Sequence, residues 1–105
     1  MDMGQIGQLV DQGSWEFSLH ALKQMDARGI RASAVLEALR TGEVLEDYPL
    51  DPRGASCLVL GHHAEQALHI VCGTRDKGSK LLVITVYRPE PPRWIDERTR
   101  GRDAQ

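Results

Sequence analysis

Aromatic residues are scarce in this chain, which has one Phe, two Tyr and two Trp among 105 residues. A core of stacked rings is excluded, and each aromatic position needs its own explanation. Lysine is nearly missing too, since Arg supplies ten of the thirteen basic side chains. Against fifteen acidic residues these leave a net charge of −2. That excludes the broad positive field of a general nucleic-acid binder, so any contact with RNA or DNA has to be local. The two cysteines, Cys57 and Cys72, lie in apolar, strand-like runs. They make no disulfide-stapled scaffold and point to reduced thiols, which the alternation pattern puts on opposite faces of a sheet. No apolar run approaches the roughly 18 residues of a membrane span. Residues 1–13 also lack the basic cluster and apolar stretch of a signal peptide. A cytoplasmic protein without membrane contact is expected. Phosphate-binding glycine loops, a dinucleotide fingerprint, a nucleophile elbow and a helix with two His four apart are all missing, so no cofactor is expected.

What is present suffices for one small domain. Apolar residues make up 41%, and a chain of this length buries roughly two thirds of its unfolded surface. A single domain over 1–105 is expected, with a weak helix or arm at 1–13, a core at 14–98 and a loose tail at 99–105. In the arm, residues 4–12 contain two glycines and few large apolar side chains. A firmer helix starts at Ser18, a suitable N-cap, with Phe17 before it placed to staple onto Leu22; Gly29 ends it. Its apolar stripe reads Leu19, Leu22 and Met25, and His20, Gln24 and Arg28, spaced by four, share another side. A second helix runs over Ser33–Thr41, burying Val35, Leu36 and Leu39 and stopping at Gly42.

After Gly42 the period becomes alternating, and strands are expected near 43–48, 56–62, 67–73 and 81–87. Short links favour an antiparallel meander. The predicted fold is α+β: two helices on one face of a four-stranded antiparallel sheet, order ααββββ. Trp94, after the prolines at 89, 91 and 92, is expected to be pinned.

A symmetric turn around Lys77 sets His69 opposite Thr85 and Ile70 opposite Ile84, with Tyr87 diagonal to His69. A three-residue turn at Ala64-Glu65-Gln66 sets Leu60 opposite Ile70 and Gly61 opposite His69. One face then carries Leu58, Leu60, Leu68, Ile70, Cys72, Leu82, Ile84 and Val86, and is the face for the helices to cover. The other carries Val59, Gly61, His63, Ala67, His69, Val71, Val83, Thr85 and Tyr87 and is apolar at one end and polar at the other.

That polar end offers an imidazole and two hydroxyls, with Gly61 leaving space, which is the equipment of general acid–base chemistry. Equally, His69 and Thr85 could be an ordinary cross-strand polar pair. The row His20, Gln24, Arg28 could hold a phosphate or simply be the wet side of a helix. His62, His63 and His69 raise a metal site, but neighbouring strand residues point to opposite faces. Only His63 with His69 could share an ion, and no third ligand is evident, so no metal is expected.

Several spaced motifs carry a family resemblance: Ser18-x-His20-Ala21-x-x-x-Met25-x-x-Arg28-Gly29-Ile30, then Val35, Gly42 and Tyr48-Pro49. They continue with Ser56-Cys57-Leu58-Val59-Leu60-Gly61, Leu68-His69-Ile70-Val71, Thr85-Val86-Tyr87-x-Pro89 and Trp94. Over roughly residues 14–98 the chain resembles the domain-of-unknown-function family 4258. The resemblance implies two helices followed by a four-stranded antiparallel sheet, an arrangement grouped with RelE-like and barnase–colicin-type ribonuclease toxins. It also implies emphasis on His20, Arg28, His69, Thr85 and Tyr87. Two departures stand out: Gln24 where the family commonly has Arg, and Arg31 where a small helix-capping residue is usual.

The leading functional expectation is metal-independent cleavage of RNA. His69 or His20 would be the base, Arg28 the stabiliser of phosphorane charge, and Tyr87 or the other His the acid. The alternative is a non-catalytic interaction domain whose second face or sheet edge docks an antitoxin-like protein or a second copy as a homodimer.

Overall fold

The computed structural model describes residues 1–101. Its helices are α1 (Met3–Asp11), α2 (Leu19–Arg28) and α3 (Ala32–Thr41); its strands are β1 (Trp15–Phe17), β2 (Glu43–Tyr48), β3 (Ser56–His63), β4 (Gln66–Arg75) and β5 (Lys80–Tyr87). One sheet has the order β1-β5-β4-β3-β2, antiparallel except that β1 runs parallel to β5. The α+β class is as expected, with three helices instead of two and five strands instead of four. No helix among the described residues is long and apolar enough to cross a membrane.

The two extra elements come from the N-terminal segment. Asp2 caps α1 by accepting from the Gln5 N–H at 2.8 Å, and Ile6, Leu9 and Val10 are buried, with α1 packed against α3. Burial thus overrides the cost of the helix glycines. Strand β1 has three residues, too few for alternation to be visible in the sequence.

Ser18 and Gly29 delimit α2 as expected. The Ser18 Oγ accepts from the Ala21 N–H at 3.0 Å, and Gly29 adopts a left-handed φ of 65° while the Ile30 N–H reaches the Met25 carbonyl at 2.9 Å. The buried side of α2 differs from expectation. It is Ala21 and Met25; Leu19 and Leu22 are 67% and 47% exposed. Phe17 packs on the core from β1. The reason is position: α2 lies along the edge of β5 where β1 has ended. There the Ser18 hydroxyl donates to the Ile84 carbonyl at 2.8 Å, and the Gln24 Oε1 accepts from the Val86 N–H at 3.1 Å. Side chains of α2 continue the hydrogen bonding that a longer β1 would have supplied.

Helix α3 lies directly on the sheet. A Cβ at Gly61 would stand 2.3 Å from the Ala38 carbonyl oxygen, and one at Gly42 would stand 2.7 Å from the carbonyl oxygens of both Ala38 and Leu60. Gly61 therefore does not leave space opposite His69; it lets helix backbone touch strand backbone.

Two features of register overturn the expected faces. Ala64 and Glu65, at φ 50° and 67°, form a two-residue turn, which pairs Leu60 with His69 and Val59 with Ile70. This slip of one residue turns β3 over, so Cys57, Val59 and Gly61 face the helices and Leu58 and Leu60 face away. Cys57 and Cys72 are consequently cross-strand neighbours on one face, with sulfurs 3.8 Å apart. In β5 a bulge pairs His69 with Tyr87, Val71 with Thr85 and Cys72 with Val83. Val86 stays in the helix-side core as expected, Leu81 and Val83 join it, and Leu82 and Ile84 leave it. His69, Thr85 and Tyr87 stay together on the other face.

That second face is not open. Residues 88–101 fold back over it, with Trp94 only 2% exposed, so Trp94 is pinned as expected. The segment is tied by a hydrogen bond between Glu97 and His62 at 2.8 Å and by ion pairs of Arg100 with Glu46 at 2.6 Å and of Arg98 with Glu43, and it closes on itself through the Gly101 N–H and Arg93 carbonyl at 2.7 Å. Thr99 to Gly101, expected to be loose, belong to this closure; the rest of the expected tail lies outside the described residues.

Candidate active site

Between α2, the end of β5 and the returning segment lies a groove of about 720 Å³. The bulge in β5 brings Thr85 and Tyr87 to it, and the four-residue spacing of α2 brings His20, Gln24 and Arg28 to its opposite wall. Four of the five predicted site residues, His20, Arg28, Thr85 and Tyr87, thus line one groove. Sequence reasoning missed Arg88 and Arg93, which join Arg28 there against the single carboxylate of Glu90. A chain with a net charge of −2 therefore has a locally cationic groove.

His69 is the exception among the predicted residues. It projects from the same face but is 0% exposed, beneath Trp94, whose ring meets it edge-on at 4.3 Å. Its Nε2 lies 2.8 Å from the carbonyl oxygen of Glu97, which only accepts, so Nε2 carries the proton. Burial holds the His69 pKa below its ordinary value of 6.5, so at neutral pH the ring is neutral and Nδ1 is an acceptor. The Tyr87 hydroxyl, 3.1 Å away, donates to Nδ1. Trp94 also bonds to the Tyr87 oxygen, which leaves one lone pair for the groove. Burial raises the Tyr87 pKa, partly offset by Trp94.

Behind His69 stands a row the sequence did not reveal. The Arg100 guanidinium lies 4.7 Å over the Trp94 ring and grips Glu46 through Nε at 2.8 Å and Nη2 at 2.6 Å. This grip holds the Glu46 carboxyl below its usual range. Tyr48 also donates to Glu46, and burial followed by that carboxylate pushes its pKa up to about 12. The available signal was Trp94, a rare bulky ring in a Pro- and Arg-rich stretch; its partners could not be named without the return of the chain.

Gln24, where the resemblance leads one to expect Arg, serves the backbone of β5 with its amide oxygen. The considered metal pair fails on parity, because His63 lies on the helix side, 2.6 Å from Glu37 Oε2, and His69 on the other. Among the described residues no three His, Cys, Asp or Glu side chains are grouped to hold a metal ion.

Fold and site together define a mixed α+β domain with a polar, cationic groove between a helix and the end of the strand beside it. The chain belongs to the family described as domain of unknown function (DUF4258), which it matches over residues 17–88. No curated protein and no solved structure matches it. The match takes in His20 through Arg88 and ends before Glu90–Gly101, so Trp94 and the segment over His69 lie outside it.

Proposed function

We propose that the groove cleaves RNA without a metal, in the manner of RelE-like toxins. The observation that carries this reading is the convergence of His20, Arg28, Thr85 and Tyr87 on one cationic groove. Tyr87 accepts the 2′-hydroxyl proton as its own passes to His69 Nδ1. The 2′-oxygen attacks phosphorus and forms a 2′,3′-cyclic phosphate; the bond to the 5′-oxygen breaks, and His20 donates a proton to that oxygen. Arg28 neutralises the charge developing on phosphorus, and Thr85 adds a hydroxyl at the groove wall. Burial disfavours the transient imidazolium, and the Glu97 carbonyl and the charge of Glu46 partly offset that. His69 acts through Tyr87 and does not touch the substrate.

The test is incubation of RNA in chelator with wild type, His20→Ala and Tyr87→Phe. Cyclic phosphate ends are expected, with each variant slower by about 10²-fold or more. Uncleaved RNA with the wild type, or equal cleavage by all three, overturns the reading.

A second reading, docking of a protein partner such as an antitoxin or another copy, draws on the exposure of Leu19 and Leu22 on α2. On that reading Leu22→Glu abolishes a complex or dimer seen by sedimentation; a wild type that sediments as a monomer with its candidate partner present speaks against it.

A further inference from the structure

A second cavity, of about 290 Å³, lies on the far side of Arg88 from the groove. Its floor is apolar and firm, made by Ile30, Ala34 and Leu68, none more than 7% exposed. Its mouth is polar: Arg31, Gln66 and Arg88 stand around it. Arg88 borders both spaces, and it is held in place, donating through Nε to Gln66 Oε1 and through Nη1 to the Arg28 carbonyl, each at 3.2 Å. Those bonds use two of the five guanidinium N–H groups. Arg31 makes no ion pair among the described residues. His63, which also lines the cavity, is held by Glu37.

An apolar floor below two guanidinium groups suits a flat, weakly polar ring joined to an anion, which is the chemistry of a nucleotide. The shared Arg88 makes the cavity the next step for a strand whose phosphates already follow the groove. Arg31 supports this from another direction. It is the N-cap of α3 and makes no side-chain cap hydrogen bond, so the helix would be better served by Ser. A guanidinium stands at the mouth where a cap would suit the fold.

We infer that this cavity is a subsite for a nucleotide flanking the scissile bond, its base on the Ile30, Ala34 and Leu68 floor and its phosphate between Arg31 and Arg88. The inference rests on the reading of the groove as an RNA site. Its test uses 2′-O-methyl oligonucleotides, which cannot be cleaved, and Arg31→Ser, a substitution that supplies the missing cap and so leaves the fold sound. A tetranucleotide is expected to shift amide resonances of Thr85 and Tyr87 and also of Ile30, Ala34 and Leu68; a dinucleotide shifts the first set alone. Arg31→Ser is expected to weaken the tetranucleotide roughly five- to tenfold and reduce the salt slope by about 0.7, leaving the dinucleotide unchanged. Shifts at Thr85 and Tyr87 with none at the floor, or equal tetranucleotide binding by wild type and Arg31→Ser, overturn the subsite and leave the groove reading standing. Inorganic phosphate binding at Arg31 without floor shifts from any oligonucleotide also overturns it. No shift at either place overturns both.

Discussion

His69 concentrates the chemistry of the whole face in one ring. Its two nitrogens are committed to opposite roles, donating to the Glu97 carbonyl and accepting from Tyr87. Because burial lowers its folded-state pKa below 6.5, the unfolded chain takes up the extra proton first as pH falls. Its contribution to stability is complete above the unfolded value and is lost as pH drops from there through the folded one. An NMR titration should place the His69 imidazole below 6.5 and show the Nε2–H tautomer at neutral pH; a value above 6.5 would contradict the buried, neutral ring. Tyr87→Phe leaves Nδ1 buried without a donor, and denaturant melts should register a loss of about 1–3 kcal/mol. Trp94→Ala removes the cover itself and is expected to cost about 3–5 kcal/mol.

At the scale of elements, turns decided what faces what. The capping serine and glycine of α2 could be read directly, because a cap is a local hydrogen-bonding problem. The Ala64-Glu65 turn could not: both residues have positive φ, where Asn-Gly is the usual signature, so nothing local signalled a two-residue link. One residue of slip then moved Cys57, Val59 and Gly61 onto the helix side. Replacing Ala64-Glu65 with Asn-Gly should stabilise the hairpin by about 1–2 kcal/mol, since left-handed backbone costs L-residues about that much; unchanged denaturation midpoints would argue against the turn. Gly61→Ala puts a methyl into the Ala38 carbonyl. A loss of at least about 1–3 kcal/mol is expected, from separation of α3 and β3.

For the molecule as a whole, the returning segment 88–101 matters most. It converts a half-open sheet face into a second buried layer that holds Leu58, Leu60, His69 and Trp94. The ties are mostly ionic and partly exposed, the Arg100–Glu46 pair having side chains 43% and 27% exposed. Arg100→Ala should therefore cost only about 1 kcal/mol. It should nevertheless red-shift Trp94 emission and raise hydrogen exchange at Leu60; unchanged spectra would mean that Trp94 stays put by packing alone. Convergence of His20 and Arg28 with Thr85 and Tyr87 belongs to this scale as well, since it depends on α2 lying along β5 instead of on the sheet.

The chain by itself determined where α2, α3 and β2 to β5 occur, that Ser18 and Gly29 delimit α2, and that His69, Thr85 and Tyr87 share a side of the sheet. Those properties follow from periodicity and from hydrogen bonds between residues a few positions apart. Only the tertiary structure decided the orientation of β3, the role of Gly61, the place of α2 and the concealment of His69. Each of these turns on a turn length, a bulge or the path of a distant segment, where local free-energy differences are about 1–2 kcal/mol and the burial of large side chains across the sheet selects the outcome.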